Sequence, residues 1–262
     1  MKLKKILGID IGGSGIKGAI VNTKDGKLLT SRYRIPTPSP ADPESVAGTI
    51  KEIVNFFEWT GPVGVGFPAV IQNGVARTAA NIDLSFIDTN VNKLFCDATG
   101  CEVFAVNDAD AAGLAEVKFG AGKGIKGVIL LITIGTGIGT VIFNGKKLLP
   151  NTELGHVYLP NGTEAELYAS DASRKLNDLS WETWSKRFNE YLIFMEGLFW
   201  PDLVIVGGGI SKKDDKFIEF ITAKTKIVPA QLLNNAGIIG AALFAKQVLK
   251  KRKEEQDNKV KI

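Results

Sequence analysis

Residues 5–22 read KILGIDIGGSGIKGAIVN, and the fold follows from how this stretch is parsed. Lys5–Ile11 is apolar and alternating, the pattern of a strand. Gly12-Gly13-Ser14-Gly15 interrupts it as a turn, and Ile16–Asn22 resumes the alternation. The stretch also satisfies the dinucleotide-binding pattern G-x-G-x-x-G at Gly13–Gly18. That pattern works only where a helix follows the glycines and its N-terminus holds pyrophosphate. Here a strand follows, and Asp25 lies in the next turn rather than at the end of a second parallel strand. No Gly-Lys-Ser/Thr completes a P-loop. The stretch is therefore a glycine-rich β-hairpin.

The arrangement restarts at residues 128–144, VILLITIGTGIGTVIFN. Ile9–Ile16 matches Ile132–Ile138 with one gap, and each copy runs on into an alternating strand and a turn. The period is far longer than a solenoid repeat. A duplication of this kind predicts an α/β fold of two similar lobes across a central cleft. A third glycine cluster, Gly207-Gly208-Gly209, ends the strand pattern Leu203–Val206. These clusters account for much of the glycine excess, 29 of 262 residues, which is about 11% against a norm of about 7%.

Between the hairpins, Asp25-Gly26 introduces a third strand over Lys27–Ile35. Asp42 is placed to cap a helix with Pro43 at its first position, followed by Val46, Ile50, Ile53 and Phe57 on one face. Strands are expected at Pro62–Phe67 and Glu102–Val106, and a small hairpin at Val70–Arg77. Helices are expected at Val91–Thr99, Ala109–Lys118, Glu164–Asn177, Trp181–Phe199, Lys213–Ala223 and Gly237–Lys250. Trp181, Trp184, Phe188 and Tyr191 keep helical spacing and read as a core stripe.

Composition narrows the function classes. Hydrophobic residues make 45% and charged residues 23%, values of an ordinary globular chain. Thirty-two basic against 28 acidic residues leaves +4. No helix-turn-helix, zinc finger or RNA-binding strand motif accompanies the lysine clusters, so nucleic acid is not expected as a partner. Asp10 ends the first apolar stretch too early for a signal peptide, and no run reaches the roughly 18 apolar residues of a membrane span. A cytoplasmic protein without membrane association is expected. Two cysteines, Cys96 and Cys101, fit a reducing compartment. One histidine, His156, cannot build a multi-histidine metal centre.

Glycine hairpins let backbone N–H groups approach an anion closely. Asp10 is a strand-end carboxylate suited to a hydrated Mg²⁺. Ser14 offers a hydroxyl and Lys17 a point charge for a phosphoryl oxygen. Asp108 ends one strand and opens a helix, a place for a general base or for a helix cap. Asp110 falls inside the helix.

The hairpin around Asp10, the repeated Gly-Thr-Gly turn and the late Gly-Gly-Gly resemble the hexokinase–actin superfamily of phosphotransferases, with its ribonuclease H-like lobes. Asn107-Asp108-Ala109-Asp110 and Glu153-Leu154-Gly155-His156 resemble the ROK sugar-kinase family. The narrower resemblance is to the polyphosphate glucokinases. It rests on Thr78–Asp83, Pro150–His156, Ala165–Ser170, Leu179–Trp184 and Asn234–Ala242, and spans Leu7 to about Lys246.

This resemblance implies a small lobe over residues 1–107 and a large lobe over 108–262, with the last helix packing back on the small one. It implies Asp108 as catalytic base, and Asn81, Glu153, His156 and Glu166 as sugar ligands. Phosphate would be held by Gly12, Gly13, Ser14, Lys17, Gly135, Thr136, Gly137, Gly207 and Gly208, with Mg²⁺ near Asp10, mostly through water. The implied reaction moves the terminal phosphate of polyphosphate, or also of ATP, to the 6-hydroxyl of glucose, in a homodimer. A strictly ATP-dependent ROK hexokinase is the alternative. A non-catalytic sugar sensor would need a DNA-binding domain ahead of the first strand, which begins at about Lys5.

The sequence departs from the wider ROK pattern at one point. Many members carry a cysteine-rich, zinc-binding segment after the Glu-x-Gly-His motif. Residues 157–168 contain no cysteine, so no zinc is expected, and packing of Tyr158 and Tyr168 is the expected substitute.

Overall fold

The computed structural model describes residues 4–80 and 82–259. The chain divides into two compact units, Met1–Ala115 with Asn235–Ile262, and Glu116–Asn234.

In the first unit β1 (Lys5–Gly12) and β2 (Gly15–Asn22) form the expected hairpin. Gly12 faces Gly15 across the ladder, so the turn itself is Gly13-Ser14. β3 (Tyr33–Ile35), α1 (Pro43–Phe56), β4 (Val63–Phe67), the small hairpin β5 (Ile71–Gln72) and β6 (Val75–Ala76), α2 (Val91–Thr99) and β7 (Val103–Asn107) follow. α3 (Asp108–Phe119) starts directly at the end of β7. The sheet order is β3-β2-β1-β4-β7, with β1, β4 and β7 parallel. α1 begins as its sequence dictates: Asp42 Oδ1 accepts the Ser45 N–H at 2.9 Å, with Pro43 behind it.

The second unit repeats the plan. β8 (Val128–Ile134), β9 (Ile138–Asn144) and β10 (Lys147–Leu149) precede α4 (Ala165–Ala169), α5 (Asp171–Leu176) and α6 (Trp181–Phe199). β11 (Leu203–Gly208) and β12 (Ile227–Pro229) complete the sheet β10-β9-β8-β11-β12. Setting aside the small hairpin, both sheets run third, second, first, fourth, fifth strand. The duplication read from the two glycine turns is therefore a duplication of topology. Trp184, Phe188 and Tyr191 are fully buried in the core of this unit, while Trp181 lies at its edge.

Four expectations are corrected. The third strand is only Tyr33–Ile35, with an isolated pairing of Leu28 to Val21. The helix expected over Glu164–Asn177 is two helices broken at Ser170. There the Trp184 indole N–H donates to the Ala169 carbonyl, and Ser170 Oγ caps α5 by accepting the Ser173 N–H. The helix expected over Lys213–Ala223 is two 3-10 segments, Gly209–Lys216 and Ile218–Phe220. Phe217, anchored edge-on against Trp184 and Phe188, forces the break. The division of the chain also differs from 1–107 and 108–262: the first unit runs on to Ala115, and α7 (Ala236–Lys259) lies with it.

α7 returns to that unit because it packs on β1 and β4 backbone to backbone. A Cβ on Gly64 of β4 would collide with the Ala241 carbonyl, and one on Gly240 would collide with the Ala111 carbonyl of α3. Gly64→Ala is therefore expected to destabilise by about 1–3 kcal/mol, the range of overpacked cores. Gly48 sits exposed in α1 with open space at its Cβ. Gly48→Ala is expected to stabilise by about 0.5–1 kcal/mol, the usual helix-interior gain. Urea unfolding of the two variants checks these opposite signs.

Candidate active site

In the first unit, strand pairing assembles a charged row. Asp10 on β1 faces Lys17 on β2, and Lys17 faces Arg34 on β3. Lys17 Nζ lies 2.9 Å from Asp10 Oδ2, both side chains being largely covered. Arg34 Nη2 donates to the Ser14 carbonyl at 2.5 Å, and its guanidinium lies where a Cβ on Gly15 would fall. Thr37 Oγ1 donates to the Gly12 carbonyl. Two cations thus stand at the Gly12–Gly15 turn, one of them balanced by Asp10. Arg34 was not among the residues singled out from the sequence. Its signal is its place directly across from Lys17, which is visible only once the register is known.

Asp108 belongs to the same strand edge. Gly66 pairs with Asp10 on one side and with Val106 on the other. The position of a Cβ on Gly66 is 3.5 Å from Asp10 Oδ1 and 3.7 Å from the Asp108 Cα. Two carboxylate residues therefore flank one glycine at the C-terminal ends of parallel strands. The capping acceptor of α3 is Asn107, whose Oδ1 takes the Asp110 N–H at 3.0 Å while its Nδ2 donates to the Ala69 carbonyl. Asp108 Oδ1 accepts the Ala109 N–H at 2.8 Å. Asp110 is buried within α3. The N-terminus of α7 closes the edge: a Cβ on Gly237 would lie 2.5 Å from the Asp10 carboxyl carbon.

In the second unit, Glu153, His156 and Glu166 come together with a residue the sequence reading missed, Glu164. Leu154–His156 is a single 3-10 turn. It sets His156 Nε2 3.7 Å from Glu153 Oε2 and His156 Nδ1 2.5 Å from Glu164 Oε1. Glu166, in the first turn of α4, accepts the Ile138 N–H at 2.8 Å and fills the space beside Gly137. Gly135, Thr136 and Gly137 form the β8–β9 turn. Gly207 and Gly208 end β11, where Gly208 pairs with Ile134. Asn81 lies outside the described residues.

The cluster shifts the titration of His156 and Glu153. The hydrogen bond that His156 donates to Glu164 pushes His156 above its ordinary range, and the negative charges of Glu166, Glu164 and Glu153 add to this against some desolvation. Desolvation pushes the Glu153 carboxyl up, the His156 charge opposes it and the Glu166 charge adds to it. His156 thus tends to the imidazolium, with both ring nitrogens donating.

A profile of the ROK family matches residues 6–167. The chain belongs to the ROK family. It is 48% identical over 237 residues to the polyphosphate glucokinase of Mycobacterium tuberculosis (strain CDC 1551 / Oshkosh), covering 90% of this chain and 89% of that protein. The structure superposes on the inorganic polyphosphate/ATP-glucomannokinase from Arthrobacter sp. strain KM with a TM-score of 0.89. The two are 48% identical over 93% of this chain and 98% of that one. The ROK family glucokinase from Streptomyces griseus, solved with glucose and AMPPNP, matches with a TM-score of 0.78 and 25% identity. The match covers 93% of this chain and 99% of that one.

Within this ROK protein, the segment after Glu-x-Gly-His is held by hydrogen bonds. The Glu164 carboxylate takes His156 Nδ1. Leu159 N–H donates to Thr163, Gly162 N–H to Leu159 and Ala165 N–H to Val157, closing a small hairpin with a Tyr158–Glu164 bridge. Tyr158 is 70% exposed, so the expected packing by that ring is corrected. Tyr168 packs partly buried against the core of this unit, and its hydroxyl donates to Glu190. Among the described residues no group of three or more His, Cys, Asp and Glu side chains is arranged to hold a metal ion. Cys96 and Cys101 are free thiols, each bonded to backbone.

His156 is the single histidine, so its ring can be titrated by NMR without assignment ambiguity. Its midpoint is expected above the ordinary value of about 6.5, and Glu164→Gln is expected to return it toward that value. The sign for stability follows: the His156 contribution is complete below about pH 6.5 and is lost as pH rises through the raised folded value. An unshifted midpoint in the wild type would refute the Glu164 contact.

Proposed function

We propose that this ROK protein is a glucokinase that transfers the terminal phosphate of inorganic polyphosphate, and also of ATP, to the 6-hydroxyl of glucose. The observation that carries the reading is the strand edge where Asp108 and Asp10 flank Gly66 beside Lys17 and Arg34. A sugar hydroxyl is a poor nucleophile and needs a base within hydrogen-bond reach. Phosphoryl transfer otherwise needs position and positive charge around the moving group. A base-bearing strand edge beside a cationic glycine turn supplies both. The names of the Mycobacterium tuberculosis and Arthrobacter relatives support the choice of sugar and donor.

Asp108 takes the proton from the glucose 6-hydroxyl as that oxygen bonds the terminal phosphorus. The bridging P–O bond breaks, and the donor leaves one phosphate shorter. Lys17, Arg34 and the backbone of Gly12, Gly13 and Ser14 offset the charge on the phosphoryl oxygens. Gly135, Thr136, Gly137, Gly207 and Gly208 cradle further phosphates. The glucose is held by Glu153 and Glu166 as acceptors and His156 Nε2 as donor, with Asn81 completing the set. Asp10 fits a Mg²⁺ ion of the usual biological kind, which keeps several waters and takes the remaining oxygens from one or two carboxylates and phosphate. When bound, that ion neutralises donor charge. Lys17 shares the Asp10 carboxylate and offsets its charge. Among the described residues no helix is long and apolar enough to cross a membrane. The free thiols support a cytoplasmic place.

Coupled assays with glucose, mannose and glucosamine against polyphosphate and ATP test the reading. Turnover of glucose with polyphosphate is expected, and inactivity with polyphosphate at saturating Mg²⁺ would overturn the donor. Asp108→Asn is expected to lower kcat by at least about 10²-fold, the lower end for general-base loss, with a smaller change in glucose affinity. Near-normal turnover would remove Asp108 as the base.

A further inference from the structure

Trp181 is the one member of the aromatic stripe that the core of the second unit leaves at its edge. Three cations surround its ring. Arg174 Cζ is 4.3 Å from the ring centre, Lys213 Nζ 5.4 Å and Lys216 Nζ 5.6 Å. An indole attracts a cation over its face, but three positive groups around one ring repel each other. Arg174 is balanced by Asp171, which also pairs with Lys175. Lys213 and Lys216 are exposed, and among the described residues neither has a carboxylate within 4.0 Å, although Asp214 and Asp215 share their segment. Two of the three cations are therefore open to an anionic ligand.

Its location says which anion. Both segments that carry the cations are tied to the glycine turns of this unit. The Ala172 N–H at the start of α5 donates to the Gly135 carbonyl at 3.2 Å. The 3-10 segment with Lys213 and Lys216 begins at Gly209, directly after Gly208, which pairs with Ile134 beside the Gly135 turn. The cation cluster is therefore joined to the glycine turns by short backbone connections.

We propose that Arg174, Lys213 and Lys216 around Trp181 form a subsite for the trailing phosphates of an inorganic polyphosphate chain whose preceding phosphates lie at the glycine turns of this unit. The proposal rests on the donor reading above and specifies where donor length is sensed. ATP ends its three phosphates in a nucleoside, whereas polyphosphate continues as a uniform polyanion into a field of positive charge. Single-stranded nucleic acid binds through aromatic faces on which bases stack. The cations surrounding Trp181 crowd such a platform, which favours bare phosphate.

The test is a donor-length series on the intact protein. Lys213→Gln/Lys216→Gln changes two exposed side chains and leaves the core untouched. In the wild type KM is expected to fall from tripolyphosphate to long-chain polyphosphate. In the variant the long-chain KM is expected to rise about 10-fold, as two charge contacts of ordinary surface strength allow. KM for tripolyphosphate and ATP is expected to stay within about twofold. The difference should shrink as salt screens the charges. Equal losses on short and long donors, or no loss, overturn the subsite.

Fluorescently labelled long-chain polyphosphate, titrated onto wild type and variant without glucose, separates this outcome from failure of the donor reading. Lysine-dependent binding supports the subsite even where turnover with polyphosphate is absent, and such absence overturns the donor alone. An RNA oligonucleotide that displaces the labelled chain as well as polyphosphate does overturns the subsite as a phosphate-chain site.

Discussion

The first unit depends on a helix laid directly on a sheet. α7 rests on β1 and β4 with backbone against backbone, an approach possible only because Gly8 and Gly64 carry no side chain there. The contact joins the last helix of the chain to its first strand. It also determines what stands at the strand ends. The helix begins at Ala236, and its first turn abuts the Asp10 carboxylate. The positive end of a helix dipole favours negative charge, so the same packing that holds the unit together sets the Asp10 carboxylate at the start of a helix.

The two glycine hairpins share a topology and differ in chemistry. The first carries Asp10, Lys17 and Arg34 in a row set by strand register. The second carries no charge of its own at the turn; the N–H of Ile138 is taken by Glu166. Duplication supplied a scaffold twice, and side chains then specialised each copy, as sites on a shared fold commonly are. The first turn gathers positive charge, whereas the second unit gathers the acidic side chains around His156.

Stiffness around His156 comes from a carboxylate and a short hairpin. A histidine whose one nitrogen is tied by a second partner has a defined ring orientation, the principle seen in metal-bound histidines and their outer partners. Glu164 does this with one strong charge-assisted hydrogen bond. Glu116 shows the same economy elsewhere. It is fully buried, yet its two oxygens accept the N–H groups of Ala121 and Leu232, which fixes the end of α3 to a distant loop.

The hairpins, their duplication, the capped start of α1, the Asp108 strand end and the Glu-x-Gly-His turn were legible in the sequence, because each is encoded by neighbours a few residues apart. Local rules of alternation, turn chemistry and capping act within that range. Arg34 and Glu164 were not legible: the first acts through strand register, the second through a loop that folds back on His156. The broken helices at Ser170 and Phe217 were also hidden, since the Trp184 indole and the aromatic core override local helical preference there. The sequence by itself determined a duplicated glycine-hairpin α/β fold and most of the residues that carry its charge. Only the tertiary structure decided how closely the final helix lies on the first strand, and that Asp10 and Asp108 stand on either side of Gly66. The reason is physical: these are contacts between segments far apart in the chain, formed where glycines remove the side chains that would keep them apart.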